Sequence, residues 1–333
     1  MIRFGLFGCG RIGRMHADTI ARHPRAALGM VYDVVPAAAE SVAGKHGCTA
    51  AKDVDEVLSS GEIDAVLIAS STDTHVELVT RSAKAGKAIL CEKPIDLDIA
   101  KVDACKAEIA PYQPIVQLGF NRRFDPSFNA VKNGIASGEI GKLEILSITS
   151  RDPGPPPAAY IKVSGGLFRD MMIHDFDLAR FMLEEDPVSV SAMASVLVDP
   201  EIGQLGDIDT AMVTLKAASG ALVHINCSRR AVYGYDQRVE AFGEKGMLQA
   251  DNRRATTVRR YAADRTDMRD PLLDFFIERY AEAYTAELDA FIDAIENGAR
   301  VPVGFEDGRR ALMLADAALQ ALKSGRTIDL KWD

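Results

Sequence analysis

The sequence predicts a doubly wound α/β domain with a parallel sheet, followed by an α+β domain with a large, open-faced, mostly antiparallel sheet. Three observations carry this. Short apolar runs alternate with helical stretches over the first third, a glycine-rich turn joins the first run to the first helix, and after about Asn121 the runs succeed one another with only turns between. Alternation implies parallel strands crossed over by helices on both faces, whereas strands in succession imply antiparallel pairing.

Taken in order, the first strands are expected at Ile2–Phe7, Leu28–Tyr32, Ala65–Ile68, Ala88–Cys91 and Ile115–Leu118. Between them lie helices at Gly13–Arg22, Pro36–His46, Thr74–Ala85 and Leu97–Ile109. Further strands are expected at Leu143–Ser150, Val188–Val198, Thr210–Ala217, Leu222–Ser228, Arg238–Phe242 and Thr256–Arg260. Two long helices, Phe275–Glu296 and Phe305–Lys323, close the chain, parted by the extended Val301-Pro302-Val303-Gly304. With 333 residues the chain is too long for one small core. It is read as a dinucleotide-binding domain over 1–120 and a substrate and oligomerisation domain over 121–333, with the last helix able to return to the first domain.

A net charge of −9 argues against general binding to nucleic acid or anionic membrane. No apolar run is long enough to span a bilayer, and Met1–Phe7 runs straight into the glycine turn without a signal-peptide pattern. Cys9, Cys48, Cys91, Cys105 and Cys227 are scattered and odd in number, which predicts a reducing, cytoplasmic setting and neither a disulfide framework nor a metal site. Cys9, within the glycine motif described next, and Cys91, just before the lysine motif, read best as small buried residues.

Gly8-Cys9-Gly10-Arg11-Ile12-Gly13 follows an expected strand and opens an expected helix. In that setting the glycines permit a tight turn, a close approach of backbone to a pyrophosphate, and close helix–strand packing, so a Rossmann domain binding NAD is expected. Flavin, S-adenosylmethionine, or a tight turn without ligand are the competing readings. Asp33, twenty residues beyond Gly13, stands where a carboxylate would take the adenosine ribose hydroxyls and repel a 2′-phosphate. Val34 and Val35 follow with no arginine in place, which favours NAD over NADP; Arg11 could face either phosphate. Ser70, Ser71 and Thr72 follow strand Ala65–Ile68 at the edge where ligands bind. His75 either closes on the nicotinamide ribose or caps its helix, and the ribose contact is preferred. Glu92-Lys93-Pro94 follows the next strand, where a lysine would point into the cofactor cleft with the proline fixing its turn.

Asp170 and His174 are four residues apart, which on one helix puts their Cβ atoms about 5–6 Å apart. A carboxylate beside an imidazole suits alcohol oxidation, because the ring can take the hydroxyl proton near neutral pH. The plainer reading is an acidic helix start followed by a buried histidine. Asp175 and Asp177 continue the acidic run, with Asp177 back on the face of Asp170. Tyr280 and Tyr284 read as packing.

With these residues in view, the chain resembles the glucose–fructose oxidoreductase, inositol dehydrogenase and rhizopine catabolism (Gfo/Idh/MocA) family over essentially its whole length. Gly8–Gly13 looks like the family's dinucleotide motif, Glu92-Lys93-Pro94 like its signature tripeptide, and Asp170 and His174 like its Asp-x-x-x-His beside the nicotinamide. Gly119-Phe120-Asn121-Arg122-Arg123-Phe124-Asp125, and Arg151-Asp152-Pro153 through Gly166-Leu167-Phe168, look like the inositol 2-dehydrogenase branch. The resemblance implies oxidation of myo-inositol to scyllo-inosose with NAD, and a homotetramer joined through the open face of the second sheet. Ser71 departs from the proline many relatives carry there. The catalytic set is then Lys93, Asp170 and His174. His174 would take the hydroxyl proton, Lys93 would stabilise the developing oxyanion or itself be the proton acceptor, and Asp170 would hold His174 or a neighbouring substrate hydroxyl. Arg123, Asp152, Tyr233 and Tyr235 are the further substrate candidates, and Asn121 joins Gly8, Gly10, Arg11, Ile12, Asp33, Ser70, Ser71, Thr72, His75, Glu92, Lys93 and Pro94 beside the cofactor. Another cyclitol or an aldose is the competing substrate. A cofactor-binding regulator that had lost the chemistry would be expected to lack Lys93 or His174, and both are present.

Overall fold

The computed structural model describes residues 1–332. The chain divides into two compact units, Met1–Phe124 with Glu282–Leu312, and Asp125–Ala281 with Met313 onwards. The return is larger than a last helix: Glu282–Leu312 belongs with the first unit, because Leu288, Phe291 and Ile292 join its core.

The first unit carries a six-stranded parallel sheet in the order β3-β2-β1-β4-β5-β6. Its strands are β1 (Ile2–Phe7), β2 (Ala26–Tyr32), β3 (Thr49–Ala50), β4 (Ala65–Ile68), β5 (Ala88–Cys91) and β6 (Val116–Leu118); its helices are α1 (Arg11–Arg22), α2 (Pro36–His46), α3 (Val54–Ser59), α4 (His75–Lys84) and α5 (Ile99–Ile109). Every residue of β4 and β5 is buried, as a sheet covered on both faces requires. Helix α2 opens with Pro36 at its first turn and closes on the left-handed Gly47, which sets its length. β3 and α3 went unread in the sequence: one is two residues long, and the other is set by the Asp53 carboxylate accepting from Glu56 N at 2.8 Å. Strand order reverses between β1 and β4, so the carboxyl ends of these strands form the switch point where ligands bind in such sheets.

The second unit holds a seven-stranded sheet in the order β12-β11-β7-β10-β9-β8-β15. In chain order its elements are α6 (Pro126–Ala136), β7 (Leu143–Arg151), α7 (Ala158–Ile161), α8 (Gly166–Asp170), α9 (Ile173–Leu183), β8 (Pro187–Ser195), α10 (Pro200–Gln204), β9 (Thr210–Ala217), β10 (Leu222–Ser228), β11 (Asp236–Gly243), β12 (Gly246–Ala250), β13 (Arg259–Arg260), β14 (Met268–Arg269) and α11 (Phe276–Arg279). Then come α12 (Ala281–Asn297), α13 (Phe305–Ser324) and β15 (Ile328–Asp329). The sheet is antiparallel except where β10 pairs with β7. One face buries Leu146, Ile148, Val213, Leu215, Val223 and Ile225, following the period of two along each strand. On the other face Leu222, Ile145, Phe242 and Met247 stand in register across four strands and are exposed.

Two elements correct the sequence reading. The strand expected over Thr256–Arg260 shrinks to Arg259–Arg260, which pairs only with Met268–Arg269 and stays out of the large sheet. The helix expected over Phe275–Glu296 is interrupted at Tyr280, whose backbone (φ −112, ψ 18) leaves the helical range.

Candidate active site

At the end of β1 each glycine has a separate reason to be glycine. Gly8 has φ +95, and a Cβ there would lie 2.6 Å from the Ala69 carbonyl and from Ser70 N. At Gly13 a Cβ would meet Gly8 O at 1.9 Å, so only glycine lets α1 close onto the strand. Beside Gly10 there is open space within 4 Å, and Gly10 begins α1 without a side-chain cap. The open, uncapped start of a twelve-residue helix leaves N–H groups that suit an anion, and it fits the pyrophosphate of a dinucleotide. Arg11 is exposed and Ile12 half-buried at that start.

Asp33 directly follows β2, and both its oxygens accept main-chain N–H groups, Cys9 N at 2.6 Å and Val35 N at 2.8 Å. The carboxylate is thereby fixed at the strand end, beside the exposed Val34 and Val35. Burial, with Asp33 nearby, pushes the Cys9 thiol up to about 11, and Cys91 is raised well above its ordinary value by burial; neither is poised to react. After β4, Ser70 and Thr74 share a hydroxyl–hydroxyl bond of 2.7 Å around a turn that contains Ser71 and Thr72.

His75 departs from the expected ribose contact. It is 1% exposed, its Nδ1 lies 2.8 Å from Pro94 O, and its Nε2 lies 3.2 Å from Ser70 O. Burial lowers its pKa against the pull of those carbonyls, so the neutral ring spends its one N–H on the nearer, Pro94. Both ring nitrogens face main chain, and the Nδ1–H ties the start of α4 to the turn at Pro94.

Glu92 is likewise turned inward. Its carboxylate accepts from His16 Nε2 at 2.8 Å and from Lys93 N at 3.3 Å. Burial alone would raise this carboxyl, but the His16 bond and the Lys93 charge outweigh it and hold the group below its ordinary value. Gly119 is glycine for the same packing reason, since a Cβ there would meet Glu92 Oε2 at 2.8 Å. Lys93 is half-buried in this turn, between Glu92 and the buried Pro94. Asn121 is buried in a single 3-10 turn, Asn121–Phe124. The Arg123 guanidinium donates to Pro302 O and to Asp307 Oδ1, each at 3.0 Å, and so ties down the extended Val301–Gly304 segment.

In the second unit Asp170 and His174 do not share one helix. Asp170 is the last residue of α8, Met171 and Met172 intervene, and His174 is the second residue of α9. The short helix is enforced at its start by two glycines, Gly165 (φ 84) and Gly166 (φ 83); a Cβ on Gly166 would lie 2.8 Å from Asp207 Oδ1. Asp170 instead accepts from Tyr160 OH at 2.8 Å and from Arg229 Nη1 at 3.3 Å. Arg229, 1% exposed, also reaches Asp207 at 3.3 Å, and Asp207 accepts from Leu167 N at 3.0 Å. One buried guanidinium thus fixes two carboxylates. His174 is half-buried, while Asp175 and Asp177 are buried.

Asp152 is held by its main chain, its N–H donating to Ser228 O and its carbonyl accepting from Ala231 N. Tyr233 is drawn elsewhere: its hydroxyl donates to Asp236 at 2.6 Å and accepts from Arg151 at 2.8 Å. Tyr235 is buried edge-on against Phe275 and Tyr280, so its ring belongs to an aromatic stack. Tyr280 and Tyr284 pack, as read. The sequence reading missed Arg229, Asp207, Tyr160 and His16. None lies at motif spacing from the residue it serves.

Residues 2–120 match the model of an oxidoreductase family with an NAD-binding Rossmann fold, and residues 128–249 match that of the GFO/IDH/MocA C-terminal domain. An inositol 2-dehydrogenase of Rhizobium meliloti (strain 1021) is 50% identical over 329 residues, spanning 99% of both chains. A myo-inositol 2-dehydrogenase of Thermotoga maritima is 47% identical over 331 residues, again 99% of both. The crystal structure of a myo-inositol dehydrogenase from Corynebacterium glutamicum superposes with a TM-score of 0.96 at 48% identity, covering 99% of each chain. With its glycine turn, its lysine turn and both domains matched, this chain belongs to the Gfo/Idh/MocA family of NAD-binding oxidoreductases.

Proposed function

We propose that this protein is an NAD-dependent inositol 2-dehydrogenase, converting myo-inositol and NAD to scyllo-inosose, NADH and a proton. The observation that carries the reading is full-length identity of about half to dehydrogenases of that name, in a chain that keeps Lys93, Asp170 and His174. NAD, when bound, supplies the hydride acceptor. Gly8, Gly10 and the start of α1 would hold its pyrophosphate, and Asp33 its adenosine ribose. His174 takes the proton of the reacting hydroxyl, and the Lys93 ammonium hydrogen-bonds the same oxygen as negative charge develops there. Asp170, held by Arg229 and Tyr160, offers a fixed acceptor to a substrate hydroxyl. Fixed acceptors of this kind penalise an isomer that leaves them unpaired.

The outward row Leu222, Ile145, Phe242 and Met247 supports a homotetramer joined through the open sheet face. The five free cysteines favour a cytoplasmic enzyme. Among the described residues no helix is long and apolar enough to cross a membrane. The direct test is the initial rate of NADH formation across cyclitols and aldoses, with NAD and NADP in parallel. Fastest turnover with myo-inositol and NAD is expected. Preference for scyllo-inositol, D-chiro-inositol or glucose would replace the substrate, and silence despite NAD binding would remove the enzyme.

A further inference from the structure

The turn that carries Lys93 is gripped on both sides by buried histidines. Before the lysine, the Glu92 carboxylate accepts from His16 Nε2 at 2.8 Å, and after it the Pro94 carbonyl accepts from His75 Nδ1 at 2.8 Å. His16 is 3% exposed and His75 1% exposed. They belong to different helices, and each helix begins at a loop assigned to the cofactor: α1 follows Gly8–Gly10, and α4 follows Ser70–Thr74. The ring of Tyr284 meets the His16 ring edge-on, with centroids 5.5 Å apart and planes at 86°, which fixes the direction of Nε2.

Behind this pair Glu287 is fully buried, with neither carboxyl oxygen hydrogen-bonded. Burial, reinforced by the negative charge of Glu92, raises its pKa well above the ordinary value and keeps it protonated. Glu92 therefore stands as the anion of the cluster, facing His16 and Lys93.

We propose that His16 and His75 are positioning residues for Lys93: they clamp the residues on either side of it and tie its turn to the two helices that start at the cofactor loops. The inference rests on the reading of Lys93 as the oxyanion-stabilising group. A lysine has a flexible four-carbon stem and a point charge, so its aim depends on how firmly its own backbone is held. The clamp supplies that firmness from two independent directions, and it makes ordering of either cofactor loop felt at the lysine. Neither histidine needs to touch substrate.

Amide side chains separate positioning from simple core filling. The amide of Gln reaches about where His Nε2 lies, and that of Asn about where Nδ1 lies. His16→Gln and His75→Asn therefore keep the donor that each clamp uses, whereas His16→Asn and His75→Gln move it away. The displaced pair is expected to lose about 10- to 100-fold in kcat, the scale that misplacement of a reacting group carries, with KM for NAD and NADH affinity nearly unmoved. The retained pair is expected to stay within about threefold, well inside that range. A second readout needs no turnover: the pH-dependent rate at which an amine-specific acylating reagent modifies Lys93, followed by peptide mass spectrometry on all four variants. It is expected to change severalfold in the displaced pair alone. Equal retention or equal loss across the four, in both kcat and labelling, overturns the clamp. A parent protein that oxidises no polyol overturns the functional reading, while the labelling contrast still decides the clamp.

Discussion

His174 and Lys93 are proposed to carry the chemistry through what each side chain can do with a proton. Imidazole accepts one near neutral pH, and an ammonium donates a charged hydrogen bond to an incipient alkoxide. His174→Ala is expected to lower kcat by about 10²–10⁴-fold, the usual worth of a general base. Stopped-flow NADH formation on a variant of unchanged circular dichroism measures this, and near-parent turnover would move the proton to another acceptor. These two residues were legible as candidates because they are chemistry-bearing types lying in recognisable local patterns. Their supports were not. His16 lies 76 residues from Glu92, and Arg229 lies 59 from Asp170, separations that only the folded chain brings together. Arg123 and His75 show the complementary point: a polar side chain near a motif is as easily used to tie backbone as to bind a ligand.

Elements were legible where their signals were local and long. Helix α2, between Pro36 and Gly47, and strands β9 and β10, with strict alternation, match the expected limits. The break between α8 and α9 was not legible, because the four-residue spacing of Asp170 and His174 looks the same whether or not Met171 and Met172 continue the helix. Strand β12 was missed because Gly246–Ala250 is short and mixed in polarity, and earns its place only by pairing with β11. Helix α12 carries a stability cost that can be measured. Above the ordinary carboxyl value near 4.5, an unfolded chain releases the Glu287 proton while the folded chain keeps it. Stability from this group therefore falls as pH rises. Glu287→Gln keeps the shape and removes the titration. Its Tm is expected to exceed the parent's at neutral and alkaline pH, with the gap closing as pH falls toward 4.5; a gap independent of pH would contradict a neutral Glu287.

For the whole molecule, the sequence reading proposed two domains parting near residue 121. It left Glu282–Leu312 with the second domain, because membership depends on whose core Leu288, Phe291 and Ile292 fill, and local pattern is silent on that. The open sheet face matters at the same scale. Phe242 lies directly opposite Ile145, so the double variant Phe242→Asp, Ile145→Asp puts two like charges at the middle of the apolar row. Sedimentation velocity is expected to show a tetramer for the parent and smaller species for the variant. An unchanged assembly would place the interface elsewhere. The central claim, that this oxidoreductase removes a hydride from the carbon bearing the 2-hydroxyl of myo-inositol, is tested most directly by isotope transfer. Myo-inositol carrying deuterium at that carbon is incubated with NAD and the enzyme, and the reduced cofactor is weighed by mass spectrometry. NADH carrying one deuterium in place of hydrogen is the expected result; unlabelled NADH, or none, would contradict it.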